Sequence, residues 1–131
     1  MPLARIDLPA AKDAHYYRTV GDVVYEAMLS ALNAPKDDRF QVISEHAPGG
    51  LMINADYLGI HRSADAVIIQ VTLNDGRSLE MKKAFYKAVA DGLHERLGLR
   101  REDVVINLVE VKKENWSFGN GEAQYAPSSA T

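Results

Sequence analysis

The feature that most constrains this chain is an internal repeat. Shifted by 65 residues, the two halves agree in apolar pattern: Val20 falls on Phe85, Val24 on Val89, Met28 on Leu93, Asp38 on Asp103 and Glu45 on Glu110. Pro2 falls on Val67 and Lys12 on Arg77. In the first half, residues 3–8 alternate, with Ala4, Ile6 and Leu8 on one side and Leu3, Arg5 and Asp7 on the other, the period of a half-buried strand. Tyr17, Val20, Val24, Ala27, Met28, Ala31 and Leu32 then recur at steps of three and four, which predicts a helix with one apolar stripe. Pro35 disfavours helical geometry in the residue before it and ends that helix. A second strand is expected over 39–45, followed by a turn-rich loop at 46–50, an apolar piece at 51–53 and a polar connection over 54–65.

The second half begins with Val67-Ile68-Ile69-Gln70-Val71-Thr72-Leu73, β-branched and nearly continuous, which predicts a central strand buried on both faces. A turn over 74–78 leads to a helix with Ser78 as N-cap, a stripe of Phe85, Ala88, Val89, Gly92, Leu93 and Leu97, and Gly98 as its left-handed terminator. Residues 104–111 form the last strand. The expected fold is α+β: two β-α-β units, about 2–46 and 66–111, share one four-stranded mixed sheet with both helices on one face. At 131 residues this is one domain spanning 1–131. The sheet's other face is left bare, and with no helix remaining to cover it, partner subunits are expected to do so. Trp116, Phe118 and Tyr125 around Gly119-Asn120-Gly121 suggest a C-terminal hairpin over about 115–126 that packs on a neighbour, with a frayed tail from Ala126 onward.

Several function classes are excluded. A net charge of −3 with no clustered basic face argues against nucleic acid, and no apolar run approaches the roughly 18 residues of a membrane span. The absence of cysteine removes thiolate and disulfide chemistry and fits a reducing, cytoplasmic setting. His15, His46, His61 and His94 are not spaced as ligands on one element, so neither metal nor cofactor is expected.

Chemistry then falls to other groups. Removal of Met1, which a small second residue permits, makes Pro2 an N-terminal secondary amine. An α-amino group ordinarily titrates at about 7.7–8.0, so its surroundings decide whether it acts as acid or base. The competing explanation is a proline placed harmlessly at the first residue of a strand. Asp38 can be read as a turn terminator, and Arg77 as a surface arginine, although a cation at a helix start opposes the dipole.

Together these residues have a family resemblance. Pro2 after the initiator, Asp37-Asp38-Arg39-Phe40-Gln41, Gly76-Arg77-Ser78, and Trp116-Ser117-Phe118-Gly119 with Ala123-Gln124-Tyr125 resemble the tautomerase superfamily, and within it malonate semialdehyde decarboxylase. The resemblance implies that Pro2 is the catalytic amine, Asp38 its acidic partner, Arg77 the carboxylate binder, and Trp116, Phe118 and Tyr125 an aromatic wall. It also implies a homotrimer acting on a small carboxylate substrate. One position departs: Asp75 stands where some members carry the first arginine of an Arg-x-Arg pair, so the site has one positive charge fewer. Three readings follow: a cofactor-independent decarboxylase of malonate semialdehyde or a similar 3-oxo acid, a tautomerase or hydratase of 2-oxo acids using the same proline, and a non-enzymatic binding protein.

Overall fold

The computed structural model describes residues 2–126; Met1 and the tail from 127 onward lie outside the described residues. Strand β1 (Leu3–Pro9) leads to helix α1 (Ala14–Ala31) and strand β2 (Phe40–His46). After a two-stranded excursion, β3 (Asp56–Tyr57) and β4 (Ile60–His61), the pattern returns as β5 (Val67–Asn74), α2 (Leu79–Leu97) and β6 (Val104–Val111). The main sheet has the order β2-β1-β5-β6. Its outer pairs, β1 with β2 and β5 with β6, are parallel, and the central pair β1 with β5 is antiparallel. This is the α+β arrangement expected from the repeat.

The repeat extends to the ends of the helices. Asp13 caps α1 by accepting from the Tyr16 N–H, and Ser78, 65 positions on, caps α2 by accepting from the Met81 N–H. The helices also end alike: Asn33 and Gly98 both take positive φ, 56° and 69°. Ala34 and Leu99 then donate back to the Met28 and Leu93 carbonyls. These bonds satisfy carbonyls that a helix end leaves open.

Ala4, Ile6 and Leu8 of β1, with Val67, Ile69, Val71 and Leu73 of β5, meet Val20, Val24 and Met28 of α1 and Phe85, Val89 and Leu93 of α2. Each large side chain so buried contributes about 1.5–3 kcal/mol. The helices approach closely where Gly92 faces Val23, since a Cβ there would lie 2.8 Å from a Val23 methyl.

Three expectations need correction. β5 is central but not buried on both faces: Ile68 and Thr72 are half-buried and Gln70 is exposed. The helices cover only one face, and Phe40, Val42 and Val109 stay 45%, 39% and 38% exposed. The polar connection contains a small hairpin, Asp56 opposite His61 and Tyr57 opposite Ile60. Its two turn residues, Leu58 and Gly59, both have positive φ (53° and 75°), the geometry that matches strand twist in a two-residue loop. Finally, the C-terminal segment doubles back but forms no strand pair; a 3-10 turn (Lys113–Asn115) is followed by turns and irregular chain. Positive φ at Gly119, Asn120 and Gly121 turns the segment, and the Gln124 side chain rather than a strand partner bonds its main chain.

No helix among the described residues is long and apolar enough to cross a membrane.

Candidate active site

β1 runs antiparallel to β5 and parallel to β2, so the start of β1, the start of β2 and the end of β5 meet at one end of the sheet. Pro2 is buried there, one residue before the position where Leu3 lies between Phe40 and Thr72. Asp38 enters from the turn before β2. Asn74 closes β5, and Gly76, with φ of 114°, swings the chain so that Arg77 follows.

Asp38 is only 9% exposed, and its Oδ1 is a buried atom with no hydrogen-bond partner among the described residues. Burial, the largest cause, pushes its carboxyl above the ordinary range, while the Arg77 guanidinium pulls the other way. The acid therefore lies within the field of Arg77, at the end of the sheet where Pro2 is buried. An unpartnered buried acceptor costs about 1–3 kcal/mol, a defect retained where a ligand or proton completes it.

The turn carrying Asp38 is held from α1. The Asp37 N–H donates to the Tyr25 hydroxyl at 3.0 Å. Arg39 pairs with Asp22 at 2.9 Å and lies over the Tyr25 ring at 5.0 Å, and Gln41 donates to the Gly21 carbonyl at 2.8 Å. The Asp-Arg-Phe-Gln stretch thus ties the acid's turn to a helix.

Arg77 donates from Nε to the Leu32 carbonyl at 3.0 Å and from Nη1 to the Asn74 carbonyl at 3.1 Å. Leu32 terminates α1, so the guanidinium sits at a helix C-terminus, the favourable end for a cation, although its residue precedes the start of α2. No carboxylate pairs with it among the described residues, and an arginine has five donors, so donors remain for an anion. Leu32, Asn33, Asp75, Gly76, Arg77 and Met81 line a cleft of about 240 Å³ here.

The aromatic residues gather on the same end. The Trp116 indole N–H donates to Asn74 Oδ1 at 2.7 Å. Trp116 stacks on Phe118 with centroids 5.3 Å apart and planes at 13°, Tyr125 meets Phe118 edge-on at 5.0 Å, and Phe40 lies 6.0 Å from Phe118. Gln124 takes the place of a strand ladder, accepting from the Phe118 N–H at 2.9 Å and donating to the Gly119 carbonyl at 2.8 Å.

Known proteins resemble this chain in sequence and fold. The model of a tautomerase enzyme family matches residues 38–119, and a second tautomerase model matches residues 2–60. The chain belongs to the tautomerase superfamily. YusQ of Bacillus subtilis (strain 168), a probable tautomerase, is 36% identical over 95% of this chain and 98% of its own length. A crystal structure of FG41 malonate semialdehyde decarboxylase inhibited by 3-bromopropiolate superimposes with a TM-score of 0.87 at 36% identity, covering 94% of this chain and 93% of that one. Another malonate semialdehyde decarboxylase, described with decarboxylase and hydratase activities, gives 0.86 at 33% identity over 94% and 95%.

Tautomerase-superfamily membership leaves two residues that sequence reasoning passed over. Asn74 was expected only as part of a turn, yet it is 7% exposed and touches both Arg77 and Trp116. Its signal was a polar residue directly after the apolar Leu73 at the end of the strand. Phe40, expected as a strand residue within the Asp-Arg-Phe-Gln stretch but given no part in the site, extends the aromatic group. Glu110 at the end of β6 is held below the usual carboxylate range, first by its 2.6 Å bond to Lys82.

Proposed function

We propose that the chain is a cofactor-independent decarboxylase of malonate semialdehyde or a similar short 3-oxo acid, with the reaction at Pro2, Asp38 and Arg77. The observation that carries this reading is Asp38, a buried carboxyl with one oxygen unpartnered among the described residues, in the field of Arg77 at the end of the sheet that holds Pro2. A free anionic substrate completes such a site with one carboxylate on the guanidinium.

Loss of CO2 from a 3-oxo acid breaks the bond between the carboxylate carbon and the α-carbon. The electron pair moves into a new carbon–carbon double bond, and negative charge develops on the carbonyl oxygen. The Pro2 ammonium, kept protonated by Asp38, donates to that oxygen and stabilises the enolate. A proton delivered to carbon then yields acetaldehyde. Arg77 orients the carboxylate so that the breaking bond overlaps the carbonyl π system, and Trp116, Phe118 and Tyr125 strip water from it.

A second reading is a tautomerase or hydratase of 2-oxo acids at the same site. It is favoured by the probable-tautomerase description of the B. subtilis relatives, and by Asp75, which adds negative charge beside Arg77. The working form is proposed to be a homotrimer, because the sheet's open face exposes Phe40, Val42 and Val109. A fused 4-OT of the same fold, 21% identical with a TM-score of 0.76, is described as a symmetric trimer.

The test is to incubate protein lacking Met1 with malonate semialdehyde and measure CO2 and acetaldehyde. Release that is abolished by Arg77→Ala is expected. Ketonisation of 2-oxo acid enols without CO2 release supports the second reading instead, and neither activity leaves a binding protein.

A further inference from the structure

We propose that Asn74 is the positioning residue that couples the carboxylate clamp to the aromatic wall. Its main-chain carbonyl accepts from Arg77 Nη1 at 3.1 Å, and its side-chain Oδ1 accepts from the Trp116 indole at 2.7 Å. The amide orientation is forced, because an indole N–H can only donate and must meet the oxygen. Asn74 is 7% exposed and fixed at the end of β5, opposite Val111, with the next N–H donating to the Val111 carbonyl. One anchored residue therefore sets where the guanidinium sits and where the indole plane stands. Trp116 in turn stacks on Phe118, which carries Tyr125, so the wall is registered to the clamp through one hydrogen bond.

A leucine at this strand end would keep the main-chain bond to Arg77 but leave the Trp116 indole N–H without its acceptor, whereas the amide supplies both. The inference rests on the reading that Arg77 binds the substrate's carboxylate, and it assigns Asn74 the role of holding that carboxylate against an aromatic surface that excludes water.

The chain has one tryptophan, so Trp116 reports on the coupling directly. Malonate, a dicarboxylate that cannot decarboxylate under mild conditions, is titrated against wild type, Asn74→Ala, Asn74→Asp and Trp116→Phe. Binding is followed by Trp116 emission and, for all four proteins, by calorimetry. Wild type is expected to bind malonate with a change in emission. Asn74→Ala is expected to shift free-protein emission to longer wavelength and weaken malonate about tenfold, the equivalent of one net hydrogen bond. Asn74→Asp keeps an acceptor for the indole and therefore keeps the wild-type emission, but its added charge weakens malonate. Trp116→Phe leaves Asn74 in place and removes the bond from the other side, so it also weakens malonate even if Asn74→Ala does not fold.

The proposal is overturned if wild type shows no malonate response. It is also overturned if Trp116→Phe, or a folded Asn74→Ala, binds malonate as wild type does. The two readings separate cleanly. Malonate binding coupled to Trp116 without CO2 release from malonate semialdehyde removes the decarboxylase and leaves the coupling. Normal CO2 release with unaltered malonate affinity in Trp116→Phe does the reverse.

Discussion

The two ends of the sheet are related by the repeat, and they treat equivalent residues differently. Asp38 and Asp103 occupy matching turns, each N–H donating to the carbonyl three residues back, Pro35 and Arg100. Asp103 is 1% exposed and saturated, with one oxygen accepting from the Ser63 N–H at 2.7 Å and the other from the Ser63 hydroxyl at 2.5 Å. Asp38 has an oxygen with no partner among the described residues. Lys12, the counterpart of Arg77, pairs with Asp65 at 3.1 Å, while Arg77 has only carbonyl partners among the described residues. Pro2 is matched by Val67, which has no chemistry. The far end also holds the larger cavity, about 340 Å³ against about 240 Å³, lined by Pro9, Ala47, Pro48 and Leu51 among others, with His46 bound to Asp7 at 2.7 Å. The end proposed to react thus has the smaller of the two cavities. What separates the ends is whether the protein satisfies its own charges.

The comparison breaks most easily at the cations. Arg77→Ala is expected to lower kcat/KM for the 3-oxo acid by about 10³-fold, as for loss of a preorganised charge, whereas Lys12→Ala leaves it within about twofold. Equal losses would mean that the ends do not differ in function.

Next come the acids. Asp38→Asn should lower kcat by about 10²-fold, yet raise Tm at neutral pH. The sign follows from burial, which raises the folded-state pKa above the unfolded value. The native state then binds the extra proton, and stability is lost as pH rises through the ordinary carboxylate range to the raised value. The Tm gain of Asp38→Asn should accordingly disappear in acid, below both values, which thermal melts at a series of pH values would register.

Asp103→Ala sharpens the contrast from the other side. It strands the Ser63 N–H and hydroxyl and should cost about 2 kcal/mol in urea unfolding, with activity per folded molecule retained. The smallest effect is expected for Lys12→Ala on stability, below about 1 kcal/mol, because its partner Asp65 is half exposed.

Much of this architecture was legible because period and punctuation agree. Alternation placed β1, three- and four-residue steps placed both helices, and Ser78 and Gly98 marked the ends of α2 as expected. The repeat gave the sheet's make-up, but a one-chain pattern could not say that β5 stays open on one face, since Ile68 and Thr72 look the same whether covered by helix or by a neighbour. The small hairpin was hidden because Leu58 is a rare choice at positive φ. At the site, the resemblance supplied the residues and the fold their company. Nothing in the spacing of Asn74, Arg77 and Trp116 tells that one amide oxygen and one carbonyl join them. The hairpin expected at the C-terminus was replaced by a glutamine side chain, which periodicity does not register.

The central claim is that the end bearing the unsatisfied acid also bears a reactive Pro2 amine. The most direct measurement is mass spectrometry with peptide mapping of protein treated with malonate semialdehyde and cyanoborohydride, beside the Arg77→Ala variant. The account predicts a chain lacking Met1, a reduced adduct on Pro2, and a much smaller yield of that adduct in Arg77→Ala. An intact Met1 in protein from its natural host, or adducts confined to lysines, would contradict it.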